Sequence, residues 1–356
     1  MKFFKIFIVF ILVISCFKDN GSTNHTPIET ALYFPPLNGT EWATSSINQL
    51  GWNETNTSSL YEYLETNNTR AFLILKDGKI VIEKYWGNNI IGTEEFNMNS
   101  LWYWASAGKS LTATLVGIAQ EEGYLDINQK TSDFLGTGWT SMSEDKENLI
   151  TIKNQLTMTT GLDYQTSNLN CTDPACLTYR KDAGTQWYYH NAPYTLLEKV
   201  ISNASGTYYN DFTDQKVESK IGMNGQWIQL DFNNVYWSTA RDMARFGLMI
   251  LNKGTWDDTP VLADLNYYQA MINSSQDLNP SYGYLWWLNG KSSIIFPSLV
   301  TSINMKLAPN ASDDLFAALG KNGQFIEIIP SQNLIVIRMG EAPDDSLVPI
   351  AFHDEM

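Results

Sequence analysis

Ala71-Phe72-Leu73-Ile74-Leu75-Lys76-Asp77-Gly78-Lys79-Ile80-Val81-Ile82-Glu83-Lys84-Tyr85 is a pair of β-rich runs about an Asp-Gly dipeptide. Asp-Gly tolerates the positive φ that a tight turn needs, so the stretch predicts a β-hairpin. Two strands alone cannot bury a face, and their partners must come from elsewhere in the chain. Runs of the same character lie far downstream, at 315–319, 324–329 and 333–339, with turn residues between them. The middle of the chain reads differently. Helical patterns begin at Ser106 and near Thr151, Asn191, Tyr208 and Thr239, with Gly or polar breaks between. Strands at both ends and helices in the middle predict an α/β (α+β) fold: an antiparallel five-stranded sheet flanked by helices, with a helical region inserted into it. The α/β part is expected at about 55–105 and 239–345, and the helical part at about 106–238.

With 356 residues, 44% of them hydrophobic, the chain can build a large core. A formal charge of -15 and no Lys/Arg run argue against nucleic acid as a partner. At the N-terminus, Lys2 and Lys5 precede an apolar run from Ile6 to Ile14 that ends in Val13-Ile14-Ser15-Cys16. The run suits a signal h-region better than a membrane span. Its end looks like a bacterial lipobox, with Cys16 as the lipidated residue; the other reading is an ordinary signal peptide with an incidental Cys. Residues 1–15 are then a signal peptide, 16–30 a polar tether and 31–356 the functional domain. That predicts a lipoprotein of the bacterial envelope, on the periplasmic or surface side, joined to the membrane by its lipid anchor. Export puts Cys171 and Cys176 in an oxidising compartment, where a pair is more often a disulfide than a metal site. Closing so short a loop stabilises it by roughly 2 kcal/mol. With three His in the whole chain, no metal and no cofactor are expected.

What is missing narrows the chemistry. The chain has no G-x-S-x-G and no H-E-x-x-H, and His190 is the only interior His for a Ser-His-Asp triad. Ser106-Ala107-Gly108-Lys109 offers a different proton acceptor. In S-x-x-K a Ser at a helix N-terminus and a Lys one turn later share a face. The helix N-terminus favours a developing alkoxide, and a desolvated Lys amine can take the hydroxyl proton. The same spacing recurs at Ser15 and Ser143, but only Ser106 opens an apolar helical pattern, through Leu111, Leu115, Val116 and Ile118 to Gly123. Read alone, Ser106 is equally a helix N-cap.

Two further elements follow. Tyr189-His190-Asn191 comes after the turn Ala183-Gly184-Thr185. A phenol between two ammonium groups ionises more easily than usual and can relay a proton to a leaving group. The Asn191 amide can hold Lys109 and a substrate carbonyl together. Lys321-Asn322-Gly323 lies between two predicted strands. There Lys321 adds positive charge and Gly323 lets a substrate approach the backbone. The N–H of Gln324 is expected to join that of Ser106 as an oxyanion hole. Alone, this motif also reads as a hairpin turn. Aromatic residues crowd all three motifs. Each reads singly as core, but as a group some are expected to line an acyl pocket, Trp187 and Trp286 among them.

In this order, S-x-x-K, Y-x-N and K-x-G, the sequence resembles the class C β-lactamases, their esterase relatives and D-Ala-D-Ala peptidases of the penicillin-binding-protein/β-lactamase superfamily. Gly123-Tyr124-Leu125-Asp126, the stretch 150–162, the stretch 238–247 and Tyr282-Gly283-Tyr284-Leu285-Trp286-Trp287 carry the likeness across roughly residues 55–340. Tyr33-Phe34-Pro35-Pro36 and the final Gly-x-x-Gly-Gln are most similar to 6-aminohexanoate-dimer hydrolases and related carboxylesterases. The resemblance implies a β-lactamase/transpeptidase-like fold and a serine hydrolase that cleaves an ester or amide through an acyl-enzyme on Ser106. Lys109 and Tyr189 would handle protons on a small-molecule ester, amide or peptide substrate, with no cofactor. The same residues serve a β-lactamase or a D-Ala-D-Ala peptidase, and a non-catalytic peptidoglycan- or peptide-binding protein can share the fold. His190 departs from the Ser, Ala or Cys that relatives often carry there. Because the region between the first two motifs covers the active-site mouth in this family, a Cys171–Cys176 bridge about Asp173-Pro174 is expected to stiffen a loop near the cleft. The segment after Met339 is short for a full C-terminal helix against the sheet.

Overall fold

A computed structural model describes residues 31–346 and 348–355. Cys16, the signal segment and the tether lie outside the described residues. Strands β1 (Thr69–Lys76) and β2 (Lys79–Tyr85) form the expected hairpin, with Asp77 and Gly78 at positive φ in its turn. Then come β3 (Trp102–Tyr103), β4 (Gln226–Leu230), β5 (Asn233–Ser238), β6 (Thr255–Trp256), β7 (Thr259–Pro260), β8 (Trp287–Leu288), β9 (Phe316–Gly320), β10 (Gln324–Ile329) and β11 (Leu334–Gly340). The main sheet runs β2-β1-β11-β10-β9-β8 and is antiparallel throughout. β1 pairs with β11 from Thr69 opposite Gly340 to Lys76 opposite Leu334, so the two strand-rich ends of the chain meet in one sheet. It has six strands rather than five. The sixth, β8, is a two-residue edge strand inside an aromatic run, too short to show alternation in the sequence.

Period-two alternation explains the layers. Ile326 and Ile328 of β10 sit opposite Ile337 and Ile335 of β11 and share one face. The helix Ala240–Leu251 packs there, and a Cβ on its Gly247 would stand 3.1 Å from Ile335 and 3.2 Å from Ile326. Phe325 and Arg338 pair on the other face. There Phe325 meets Phe352 of the short helix Ile350–Glu355, and Phe352 stacks on Tyr63 of the helix Thr57–Thr66. A C-terminal helix therefore does cover the sheet, though it has only six residues. Every residue of β9 and β10 is buried, as strands covered on both faces must be.

The inserted region contains the expected helices and one feature the sequence reading missed. Thr151 and Thr239 each close a capping box, with Asn154 and Asp242, at the starts of the helices Ile152–Leu156 and Ala240–Leu251. Between them, β4 and β5 form a hairpin that pairs with β3 into a second, three-stranded sheet. Trp227 and Tyr236 face the core, while Ile228, Leu230 and Val235 lie on the opposite face. Apolar residues on both faces erase the period of two, which is why this stretch reads as part of a helical region.

Candidate active site

Ser106 sits in a 3-10 turn, Ala105–Ala107, that feeds directly into the helix Gly108–Glu121. The turn is held from behind by β5. Trp104 donates its backbone N–H to Tyr236 O at 2.8 Å and its indole N–H to Ser238 Oγ at 2.8 Å. Ala105, at φ 47°, takes a left-handed conformation that is rare for a residue with a Cβ. Helical periodicity then brings Lys109 back over Ser106, and its Nζ donates to Ser106 Oγ at 3.0 Å. Lys109 is buried, and burial lowers its amine to about 7. Around Nζ lie the rings of Tyr194, at 4.1 Å to the centroid, and Tyr189, at 5.1 Å. Both faces favour the cation but only in part offset the lost water.

Tyr189 is buried and stacks on Trp287, with ring centroids 5.8 Å apart. Burial pushes its phenol up, and a hydrogen bond with Ser106 opposes that only in part. That direction is opposite to the easily ionised phenol expected, because burial disfavours the phenolate. His190 is also buried, lowered to about 4 by burial, and does not line the cavity. Among the described residues no group of three or more His, Cys, Asp and Glu is arranged to hold a metal ion.

A cavity of about 360 Å³ opens on Ser106, and Lys109, Tyr189, Asn191 and Lys321 line it. The structure adds Leu169, Asn170, Tyr194, Asn233, Asn234, Val235, Pro297, Ser298 and Val348, none of which the motifs had singled out. Four of the expected residues are elsewhere. Trp187 packs edge-on against Tyr282, and Trp286 is fully buried against Phe246 and Phe316. These side chains belong to the core rather than to an acyl pocket. Gly323 and Gln324 do not line the cavity either. Gln324 is fully buried opposite Gly320, and its amide clamps Gly340, donating to the carbonyl at 2.7 Å and accepting from the N–H at 3.0 Å. The turn nevertheless approaches the nucleophile at its near end. A Cβ on Gly320 would stand 2.5 Å from Trp104 O and 3.0 Å from Ala107 N, so only Gly fits there.

Cys171 and Cys176 are joined by a disulfide, with Cα atoms 5.9 Å apart. Leu169 and Asn170, immediately before Cys171, are cavity wall, and Asn170 Oδ1 accepts from Asn191 Nδ2 at 2.8 Å. Reduction should therefore loosen substrate fit and leave the proton transfer alone. Steady-state kinetics under reducing conditions should show the apparent KM rising more than kcat falls; a fall in kcat at constant KM would contradict this.

A larger cavity, of about 790 Å³, includes Glu218, Arg241, Asp242 and Arg245 but no Ser, Lys and Tyr constellation. Four of its charged groups are committed, Glu218 by accepting from the Tyr236 hydroxyl at 2.7 Å. Arg241 pairs with Glu83 at 2.7 Å, Arg245 donates to Pro36 O and Ile221 O, and Asp242 accepts from the N-cap Thr239 at 2.7 Å.

Comparison with known proteins bears on the family and the fold. The Beta-lactamase family profile matches residues 68–345. No curated protein matches the sequence. Among solved structures, a Bacillus anthracis protein assigned as a 6-aminohexanoate-dimer hydrolase superposes with a TM-score of 0.67 at 17% identity, over 89% of this chain and 85% of that one. A penicillin binding protein from Bacillus halodurans superposes with a TM-score of 0.60 at 16% identity, over 80% of this chain and 95% of that one. A penicillin-binding protein homologue from Caulobacter crescentus gives a TM-score of 0.64 at 13% identity, over 83% and 94%. At these identities the solved structures speak for the fold, and it is the profile, spanning most of the chain, that shows this protein to belong to the beta-lactamase family of the penicillin-binding-protein/β-lactamase superfamily.

Proposed function

We propose that this chain is a serine hydrolase that cleaves an ester or amide bond through an acyl-enzyme on Ser106. The observation that carries the reading is the contact of Lys109 Nζ with Ser106 Oγ at 3.0 Å, in a site where burial lowers the amine to about 7. Neutral Lys109 takes the hydroxyl proton as Ser106 Oγ bonds to the substrate carbonyl carbon. The ammonium then returns a proton to the leaving group through Tyr189, which remains a neutral donor. Water then attacks the acyl carbon, its proton passes through Tyr189 to Lys109 and on to the departing Ser106 Oγ, and the acid is released with the Ser106 hydroxyl restored. The developing oxyanion is received by the N–H of Ser106 and by a backbone N–H of the β9–β10 turn. The expected donor there is the backbone N–H of Gln324, whose side-chain amide is what the Gly340 clamp occupies, and Lys321 of the same turn lines the cavity. Lys321 also gives the cavity a cation that suits carboxylate-bearing substrates, which keeps a β-lactamase or D-Ala-D-Ala peptidase as the second reading. The lipid anchor at Cys16 and the envelope location belong to the same proposal.

A fluorophosphonate probe tests the reading directly. It should modify Ser106 stoichiometrically, as read by peptide mass spectrometry. Absence of labelling, with binding of peptidoglycan fragments, would favour a non-catalytic binding protein. The pH dependence follows from the Lys109 value. Below about 7 the amine is protonated and cannot accept, so kcat/KM should rise through about pH 7 and level off above it. A profile flat between about pH 5 and 9 would count against Lys109 as the base.

A further inference from the structure

Building on the Ser106 reading, we propose that Tyr194 is the positioning residue of the proton acceptor: the face of its ring holds the ammonium that Lys109 forms when the Ser106 O–H bond breaks. Lys109 Nζ stands 4.1 Å from the Tyr194 ring centroid, nearer than to the Tyr189 ring at 5.1 Å. Among the described residues Lys109 has no ion pair, so Ser106 Oγ and these two faces are what its buried amine meets in place of water. The other titratable groups of the region are Glu198, Lys321, Tyr209 and Tyr282. Glu198, on the helix Leu197–Ser205, accepts from Asn234 at 2.6 Å. Lys321 lines the same cavity but carries the same sign as the ammonium. Tyr209 shares a hydrogen bond with Thr112 at 2.8 Å, and Tyr282 packs edge-on against Tyr189. None supplies a counter-ion to Lys109.

The ring is set against the amine from both sides of the contact. Tyr194 is buried in the short helix Asn191–Thr195, where Pro193 O accepts from the fully buried Gln155 Nε2 at 2.7 Å. Thr112, three residues on from Lys109 in the helix Gly108–Glu121, hydrogen-bonds with the Tyr194 phenol. Residues three apart share a helix face, so the helix that carries the amine also tethers the ring beside it. A desolvated ring face raises the pKa of an ammonium by about one unit. Burial has already lowered the amine to about 7, and without the ring it would fall further and leave a weaker base.

The test replaces Tyr194 by Phe and, through amber suppression, by trifluoro- and pentafluorophenylalanine, which keep the ring's shape while withdrawing charge from its face. kcat/KM for a short-chain chromogenic ester is measured against pH. A weaker face destabilises the ammonium, so the amine stays neutral to lower pH. Relative to Tyr194→Phe, the acid limb should move down by about half a unit with the trifluoro ring and by about one unit or more with the pentafluoro ring. The plateau should fall about threefold in the latter, because the base is weaker. Tyr194→Phe, which keeps the face and loses the Thr112 bond, should hold the limb near that of the wild type. A merely structural role would lower the plateau and leave the limb in place. The position of the limb does not depend on how much enzyme is folded, so a destabilised variant still reports. Coincident limbs for the Phe, trifluoro and pentafluoro rings, or a limb displaced as far by Tyr194→Phe as by the pentafluoro ring, would overturn the proposal while leaving the Ser106 reading intact. A wild type that a fluorophosphonate does not modify would overturn both.

Discussion

Ser106→Ala should leave no turnover of a short-chain chromogenic ester above background, and Lys109→Met should lower kcat by about 10³-fold or more. In the proposed mechanism the two groups act as one unit. Without the hydroxyl there is no bond to form, and without the amine its proton has nowhere to go, since His190 does not line the cavity. The double variant should thus be little worse than either single one. Lys109→Arg should not rescue, because a guanidinium stays charged and cannot accept a proton. Burst kinetics and intact-mass detection of the acyl-enzyme check the step itself. Ser106→Ala with near wild-type activity would defeat the proposed mechanism outright.

Arg338→Met should destabilise the fold by about 3–5 kcal/mol, the largest effect on stability expected of any substitution outside the apolar core. Its guanidinium is fully buried in β11 yet bonds to no carboxylate among the described residues. Nε donates to Thr69 Oγ1 at 3.0 Å, one Nη to Asn322 O and Gly323 O, and the other to Asn67 O and Glu341 O. Burial lowers the group to about 9, so the charge is held by acceptors rather than by a counter-ion. Removing it strands those acceptors in the interior. It also frees the turn that carries Lys321, so activity should fall with stability. Urea unfolding would measure the first effect, and an unchanged midpoint would refute the assignment. Arg338→Lys should rescue only in part, since an ammonium has three donors where the guanidinium uses all five.

Much of the site was legible because it is local. Ser106 and Lys109 meet through helical periodicity alone, within four residues. Asp77-Gly78 marks its turn because few other residues accept positive φ. Asp173-Pro174 turns the chain between the two cysteines for an equally local reason. The β4–β5 hairpin was not legible, since both of its faces are apolar, and with it went Asn233, Asn234 and Val235. The tryptophans were misassigned because an indole has the same composition in a core as in a pocket.

The sequence by itself determined the spacing and order of the three motifs, the turns, and the division into strand-rich ends and a helical middle, since each follows from residues close together in the chain. Only the tertiary structure decided which residues share the cavity. Lys321 reaches it while Gln324, three residues on, lies sealed in β10, because neighbouring turn and strand positions point to different sides of a packed sheet. Tertiary structure also decided the charge states. Lys109 and Tyr189 move toward neutrality through burial, and burial is a property of everything packed around them.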